Sequence, residues 1–218
     1  MSIQIYGFWR SVATFRVRVA LQLKELAFEE IPIDILCGEQ FEPDYAAVNA
    51  ERVVPTVVHD GHSLFQSLAI LEYLDEIKPV PRLLPIDARE RAYARALALV
   101  TVADSHPLLV PRVRHHLAEA FGADAKAIEE WCRHWTVDGL ATCERLLARR
   151  APAPFALGAE PGLADICLAG HTVTAQFFKV ELREFPAVAK LAERCFAIPA
   201  FATAHPFQQP GFKAAAGH

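Results

Sequence analysis

Apolar and polar positions in the first part of the chain repeat with two different periods. "IQIYGF" (3–8) reads as a short strand, after which the period changes. Over residues 12–26 the apolar Val12, Phe15, Val19, Leu23 and Leu26 recur at spacings of three and four. Thr14, Arg18, Gln22 and Glu25 form the opposite stripe, which predicts an amphipathic helix. "FEEIPIDI" (28–35) predicts a second strand, and residues 36–53, with Gly38 and Pro43, predict a loop holding at most a short helix. "TVVHDGHSLFQS" predicts a hairpin turning at Asp60-Gly61. Ser67 is placed to cap a helix whose Ile70, Leu71, Leu74 and Ile77 share one face.

Beyond that helix the pattern breaks at "KPVPRLLPIDARE", where Pro79, Pro81 and Pro85 mark a linker. After Arg89 only helical periodicity is visible, over roughly 88–118, 124–150, 162–178 and 185–197. The expected architecture is an α/β domain over 1–81, a linker over 82–87 and an all-α domain over 88–218.

Composition narrows the function classes. Apolar residues make up 53% of the 218 and charged residues 22%, enough for a buried core and too apolar for disorder. A net charge of −4 argues against nucleic acid or an anionic membrane as the main partner, although Arg112, Arg114, His115 and His116 form a local basic patch. The start shows no signal-peptide pattern, and "ALALVTVA" (96–103) falls short of the ~20 apolar residues a membrane span needs. Cys37, Cys132, Cys143, Cys167 and Cys195 form no CxxC pair, so reduced thiols in a cytoplasmic protein are expected. His59, His62, His115 and His116 lack metal-ligand spacing, and Trp131 and Trp135 are spaced for helix packing.

Candidate chemistry concentrates where strands pass into helices. Val54-Pro55 precedes a hairpin strand, where a proline can end the backbone ladder and leave donors and acceptors available. Gln66 and Ser67 stand at a strand-to-helix turn, and Ser11 begins the first helix, so two positive helix ends are offered to anions. That combination suits a short peptide carrying carboxylates and a thiol. Ser11 reads either as a helix cap alone or as a catalytic hydroxyl.

The β-α-β/β-β-α order, "VVP", the "QS" turn and the helical second half resemble a glutathione transferase. "RSVATFRVRVAL" is similar to the zeta-class signature R-S-S-C-x-x-R-V-R-I-A-L. Further matches are "QSLAILEYLDEIKPVPRLLP", "LADICL" with Asp165, "FKVELREFP", the tail "HPFQQPG", and "FGADAKAIEEWC", which resembles the bacterial maleylpyruvate type. The resemblance implies a thioredoxin-like domain followed by a helical one, a homodimer, and glutathione as cofactor. It implies that Gln66 and Ser67 hold the γ-glutamyl end, that the Val54 backbone pairs with the cysteinyl unit, and that Gln40 and His106 belong to the same binding set. It also implies that Ser11 donates a hydrogen bond to the sulfur, favouring thiolate. The implied reaction is cis–trans isomerisation of a maleyl-type keto acid by thiolate addition, rotation and elimination. Arg10 and Arg112 would be the cations facing the organic acid.

Three positions depart from the family pattern. Val12 and Ala13 replace a serine and a cysteine, so disulfide chemistry at this helix is not expected. Phe177 stands where an arginine that grips the substrate carboxylate is usual, which predicts a more apolar pocket. Gly162 replaces the Ser or Thr that caps Asp165. Two rival functions stay open: conjugation or dehalogenation of small α-halo acids, and a non-catalytic binding module on the same fold.

Overall fold

The computed structural model describes residues 2–212, which form two compact units. The first comprises the chain up to Leu83 together with the residues from Ala197 on; the second is Leu84–Phe196.

The first unit is built on a four-stranded sheet. Strand β1 (Ile3–Gly7) buries Ile3, Ile5 and Gly7 on one face, as period-two alternation requires. Its parallel neighbour β2 is Phe28–Pro32, and β3 (Thr56–His59) and β4 (His62–Phe65) follow antiparallel, in the order β2-β1-β3-β4. The β3–β4 hairpin turns at Asp60 and Gly61, whose φ angles of 49° and 80° are those of a turn matched to strand twist. Helix α1 (Val12–Leu23) joins β1 to β2, α2 (Pro43–Val48) follows a 3₁₀ turn at Glu39–Phe41, and α3 (Ser67–Ile77) packs against α1. Phe15, Val19, Leu21, Val57, Ile70, Leu71 and Leu74 are fully buried and form the core.

The predicted polar stripe is divided: Gln22 is half-buried and Glu25 exposed, whereas Thr14 and Arg18 are buried, as is Arg16, because each of these three meets a partner from another part of the unit. Arg18 Nε donates to Glu30 on β2 at 2.8 Å, and Arg16 Nε donates to Ser67 Oγ at 3.0 Å. Gly7 is needed beside this helix, since a Cβ there would lie 2.5 Å from Thr14 Cγ2.

The second unit contains α4 (Ala88–Leu99), α5 (Pro111–Phe121), α6 (Ala125–Leu147), α7 (Leu163–Phe177) and α8 (Pro186–Phe196). The segment predicted as one helix over 88–118 is divided. A π-helical turn at Val100–Ser105 and a 3₁₀ turn at His106–Leu108 separate α4 from α5, with Pro107 and Pro111 at the break. Helix α7 is the centre of this unit: Leu163 through Ala175 are all buried, and α4, α6 and α8 pack around it.

The two units divide the chain after Leu83 and again after Phe196. Within the predicted 82–87 linker Leu83 and Leu84 are 2% and 7% exposed, while Arg82, Ile86 and Asp87 are exposed. Residues 197–212, expected in the 88–218 domain, belong to the first unit. There α9 (Pro199–Ala204) packs on α1, burying Phe201 completely, and Thr203 Oγ1 donates to Gln22 at 2.5 Å. The segment after α9 brings Phe212 against Trp9, with ring centroids 5.7 Å apart.

Candidate functional site

Strand register determines where the candidate residues meet. Tyr6 pairs with Thr56 and Thr56 with Phe65, so the C-terminal end of β1, the N-terminal end of β3 and the C-terminal end of β4 share one edge of the sheet. Ser11, Val54 and Gln66-Ser67 are the residues that leave this edge.

Ser11 is the N-cap of α1. Its backbone is extended (φ −69°, ψ 119°), and its Oγ accepts the Thr14 N–H at 3.2 Å. With its oxygen engaged as acceptor, the hydroxyl proton is available to an acceptor outside the helix. Val12 is buried and Ala13 has no functional group, so Ser11 is the first hydroxyl at this helix start. Thr14, the next, is fully buried. Arg10 lies on the exposed side of the same turn.

The Val54-Pro55 bond is cis. Among the described residues, no hydrogen bond engages the Val54 N–H or C=O, although strand β3 begins at Thr56. The loop before it is firmly held. Tyr45 Oη donates to Val53 O at 2.5 Å, and buried Asn49 donates to Val53 O and Thr56 Oγ1 at 3.0 and 2.9 Å.

Ser67 is not the cap of α3 that the sequence predicts. Gln66 holds the cap position with φ 64°, and Ser67 is the first helical residue. The reason is Arg16: its buried guanidinium donates to Ser67 Oγ, so that oxygen accepts from across the core and leaves the hydroxyl proton for a ligand. Gln40, in the 3₁₀ turn, has a buried Oε1 with no hydrogen-bond partner among the described residues.

No cysteine of the chain is suited to be the nucleophile. Exposed Cys37 is held above its ordinary value by the hydrogen bond to the Asp34 carboxylate and by that charge. Burial raises Cys132, pushes Cys143 up to about 12 and raises Cys195 further still. Cys167 is fully buried in α7. A thiolate at Ser11 must therefore arrive with a ligand.

The remaining candidates belong to the second unit. His106 opens the 3₁₀ turn, Arg112 is exposed on the first turn of α5, and Phe177 ends α7 half-buried. Gly162 starts α7, and Asp165 keeps half of the capping arrangement, accepting the Gly162 N–H at 2.9 Å. Sequence reasoning missed Arg16 behind Ser67. The available signal was an arginine inside the apolar run "FRVRV", which needs a buried partner to be tolerated.

Two helix starts that each carry a serine, and a Val54 backbone engaged in no hydrogen bond among the described residues, lie together on one thioredoxin-like unit. Residues 1–76 match the family described as "Glutathione S-transferase, N-terminal domain". Over 212 residues the chain is 36% identical to the probable maleylacetoacetate isomerase of Vibrio cholerae serotype O1, covering 96% of this chain and 98% of that one. It superposes on the maleylacetoacetate isomerase of Methylobacterium extorquens AM1, solved with bound malonate and GSH, with a TM-score of 0.92 and 42% identity. That match covers 95% of this chain and 98% of the other. A holo structure of a maleylpyruvate isomerase, a bacterial zeta-class glutathione S-transferase, matches with a TM-score of 0.92 and 36% identity over the same shares. The chain belongs to the zeta-class glutathione transferases, the family of the maleylacetoacetate and maleylpyruvate isomerases.

Proposed function

We propose that this protein is a glutathione-dependent cis–trans isomerase of a maleyl-type keto acid, working as a cytoplasmic homodimer. The observation that carries the reading is the cap geometry of Ser11: its oxygen accepts the Thr14 N–H, which leaves the hydroxyl proton to be donated to a ligand at the start of α1. Bound glutathione supplies a thiolate that can add to an activated cis double bond, permit rotation about the resulting single bond, and leave.

The residues of this chain do the rest. Ser67, backed by Arg16, donates to the γ-glutamyl carboxylate, with Gln66 beside it. The Val54 backbone offers its donor and acceptor to the cysteinyl unit, as an added strand would require. Gln40 brings a buried acceptor that has no hydrogen-bond partner among the described residues. Ser11 and the positive end of α1 favour thiolate over thiol, lowering the pKa from about 8.5 for a free thiol. Arg10, next to Ser11, stabilises charge that develops next to the double bond. Phe177 ends α7 where the family pattern has a cation, which favours a substrate with one apolar side.

The deciding assay offers purified protein and glutathione maleylpyruvate, maleylacetoacetate and dichloroacetate side by side. Isomerisation of either maleyl acid, faster than turnover of dichloroacetate, is the expected result. Turnover of dichloroacetate alone replaces the reading with dehalogenation, and glutathione binding without turnover replaces it with a binding module. Sedimentation should give twice the 24.1 kDa chain mass, and a monomer would remove the homodimer from the proposal.

A further inference from the structure

The amide of Gln66 is already committed in this fold. Its Nε2 donates to both oxygens of Glu51, at 2.9 and 3.1 Å, linking the start of α3 to the loop before Val54. Glu51 is itself fixed: its N–H donates to Asn49 Oδ1 at 2.9 Å, and Arg52 follows with φ 55°. Asn49 is buried and bonded to Val53 and Thr56, so the carboxylate stands on a braced loop.

What this carboxylate lacks is a cation. Among the described residues its side chain is bonded only to the neutral Gln66 amide, and it takes part in no ion pair. An ionised carboxylate has about four acceptor positions, and the amide uses two of them. The same amide carries an oxygen, Oε1, that can only accept, a neutral acceptor on the residue that holds the charged one. On the other side of Gln66, Ser67 presents the opposite character: a hydroxyl donor backed by buried Arg16 at the positive end of α3. An acceptor set and a donor set on consecutive residues are complementary to an ammonium and a carboxylate on one carbon.

We infer that Glu51, together with Gln66, binds the α-ammonium group of the γ-glutamyl residue and selects ligands with a free α-amino acid head. The inference rests on the reading that Gln66 and Ser67 hold the γ-glutamyl end. It assigns Glu51 a binding role that the sequence did not suggest, and it explains why the strained backbone at Gln66 is useful: the amide reaches the carboxylate while Ser67 faces the ligand.

The test is a ligand–variant cycle by calorimetry, using glutathione and its deamino analogue, in which glutaryl replaces γ-glutamyl. Wild-type protein should bind glutathione about tenfold or more tightly than the analogue, since a charge-assisted contact is lost. Glu51→Gln should weaken glutathione by about tenfold and leave the analogue within roughly twofold. Glu51→Lys should weaken glutathione further and leave the analogue unchanged or improved. Glu51 is exposed, so both variants should keep the wild-type melting temperature. Equal weakening of both ligands, or no weakening of either, overturns the inference. The underlying reading fails differently: Ser67→Ala would then leave the affinity of both ligands unchanged, and Glu51 would lose its role with it.

Discussion

Ser11 carries two duties that single substitutions can separate. As a cap it satisfies one helix N–H; in the proposed reaction it donates to the thiolate. Ser11→Ala removes both, and should cost about 1 kcal/mol of stability, whereas Ser11→Gly should cost only about a few tenths. Turnover should fall at least about tenfold in both variants, because both lack the hydroxyl that favours the thiolate. Glutathione affinity should stay within roughly threefold, since one weak contact among many is lost. Melting curves and steady-state kinetics on the pair provide the check. If Ser11→Gly kept full turnover, the hydroxyl would be a cap and nothing more.

At the scale of elements, α7 shows how a buried acid couples this helix to pH. Asp165 is 1% exposed, and its oxygens accept the Ala156 and Gly162 N–H groups at 2.8 and 2.9 Å. Burial outweighs those bonds and raises its carboxyl from 3.8 to about 6. Between these values the folded chain holds a proton that the unfolded chain has released. The associated stability is therefore complete below pH 3.8 and is lost as pH rises through 6. At ~1.4 kcal/mol per pKa unit the change is about 3 kcal/mol. Asp165→Asn should remove this slope from the difference in urea unfolding free energies measured at pH 4, 5, 6 and 7; parallel curves would show that Asp165 titrates normally.

The same scale shows what the sequence made legible. The order of strands and helices in the first unit followed from period, turn residues and proline, because those are local. The inward turn of Thr14, Arg16 and Arg18 did not. Their partners, Ser67 and Glu30 for the two arginines, lie on other elements, and a helical wheel contains no information about them. The family resemblance offered Ser67 as a site residue, but nothing local marked it as an acceptor for Arg16. Glu51 carried no signal at all, since a loop glutamate is ordinary until Gln66 is seen to reach it.

For the whole molecule, the decisive feature is that the first unit is completed by the end of the chain. Phe201 is fully buried, and α9 packs on α1. Phe201→Ala should cost about 3–5 kcal/mol, as for other buried phenylalanines. With Trp131 and Trp135 replaced by Phe, Trp9 alone would report on the first unit during denaturation, and its midpoint should drop. A drop confined to far-ultraviolet signal from the helical unit would place α9 elsewhere. Gly211 tightens the same closure, since a Cβ there would lie 2.4 Å from the Trp9 ring.

This return of the chain has a consequence for synthesis on the ribosome. The sheet, α1 and α3 emerge first, yet the helix that covers α1 is made only after all of Leu84–Phe196. At ~5–20 residues per second that interval is on the order of ten seconds. Throughout it the nascent first unit exposes the apolar surface reserved for Phe201, which is the kind of surface that chaperones bind. A chain released or cut after Phe196 would carry every candidate residue of the site and still lack the last piece of its first unit.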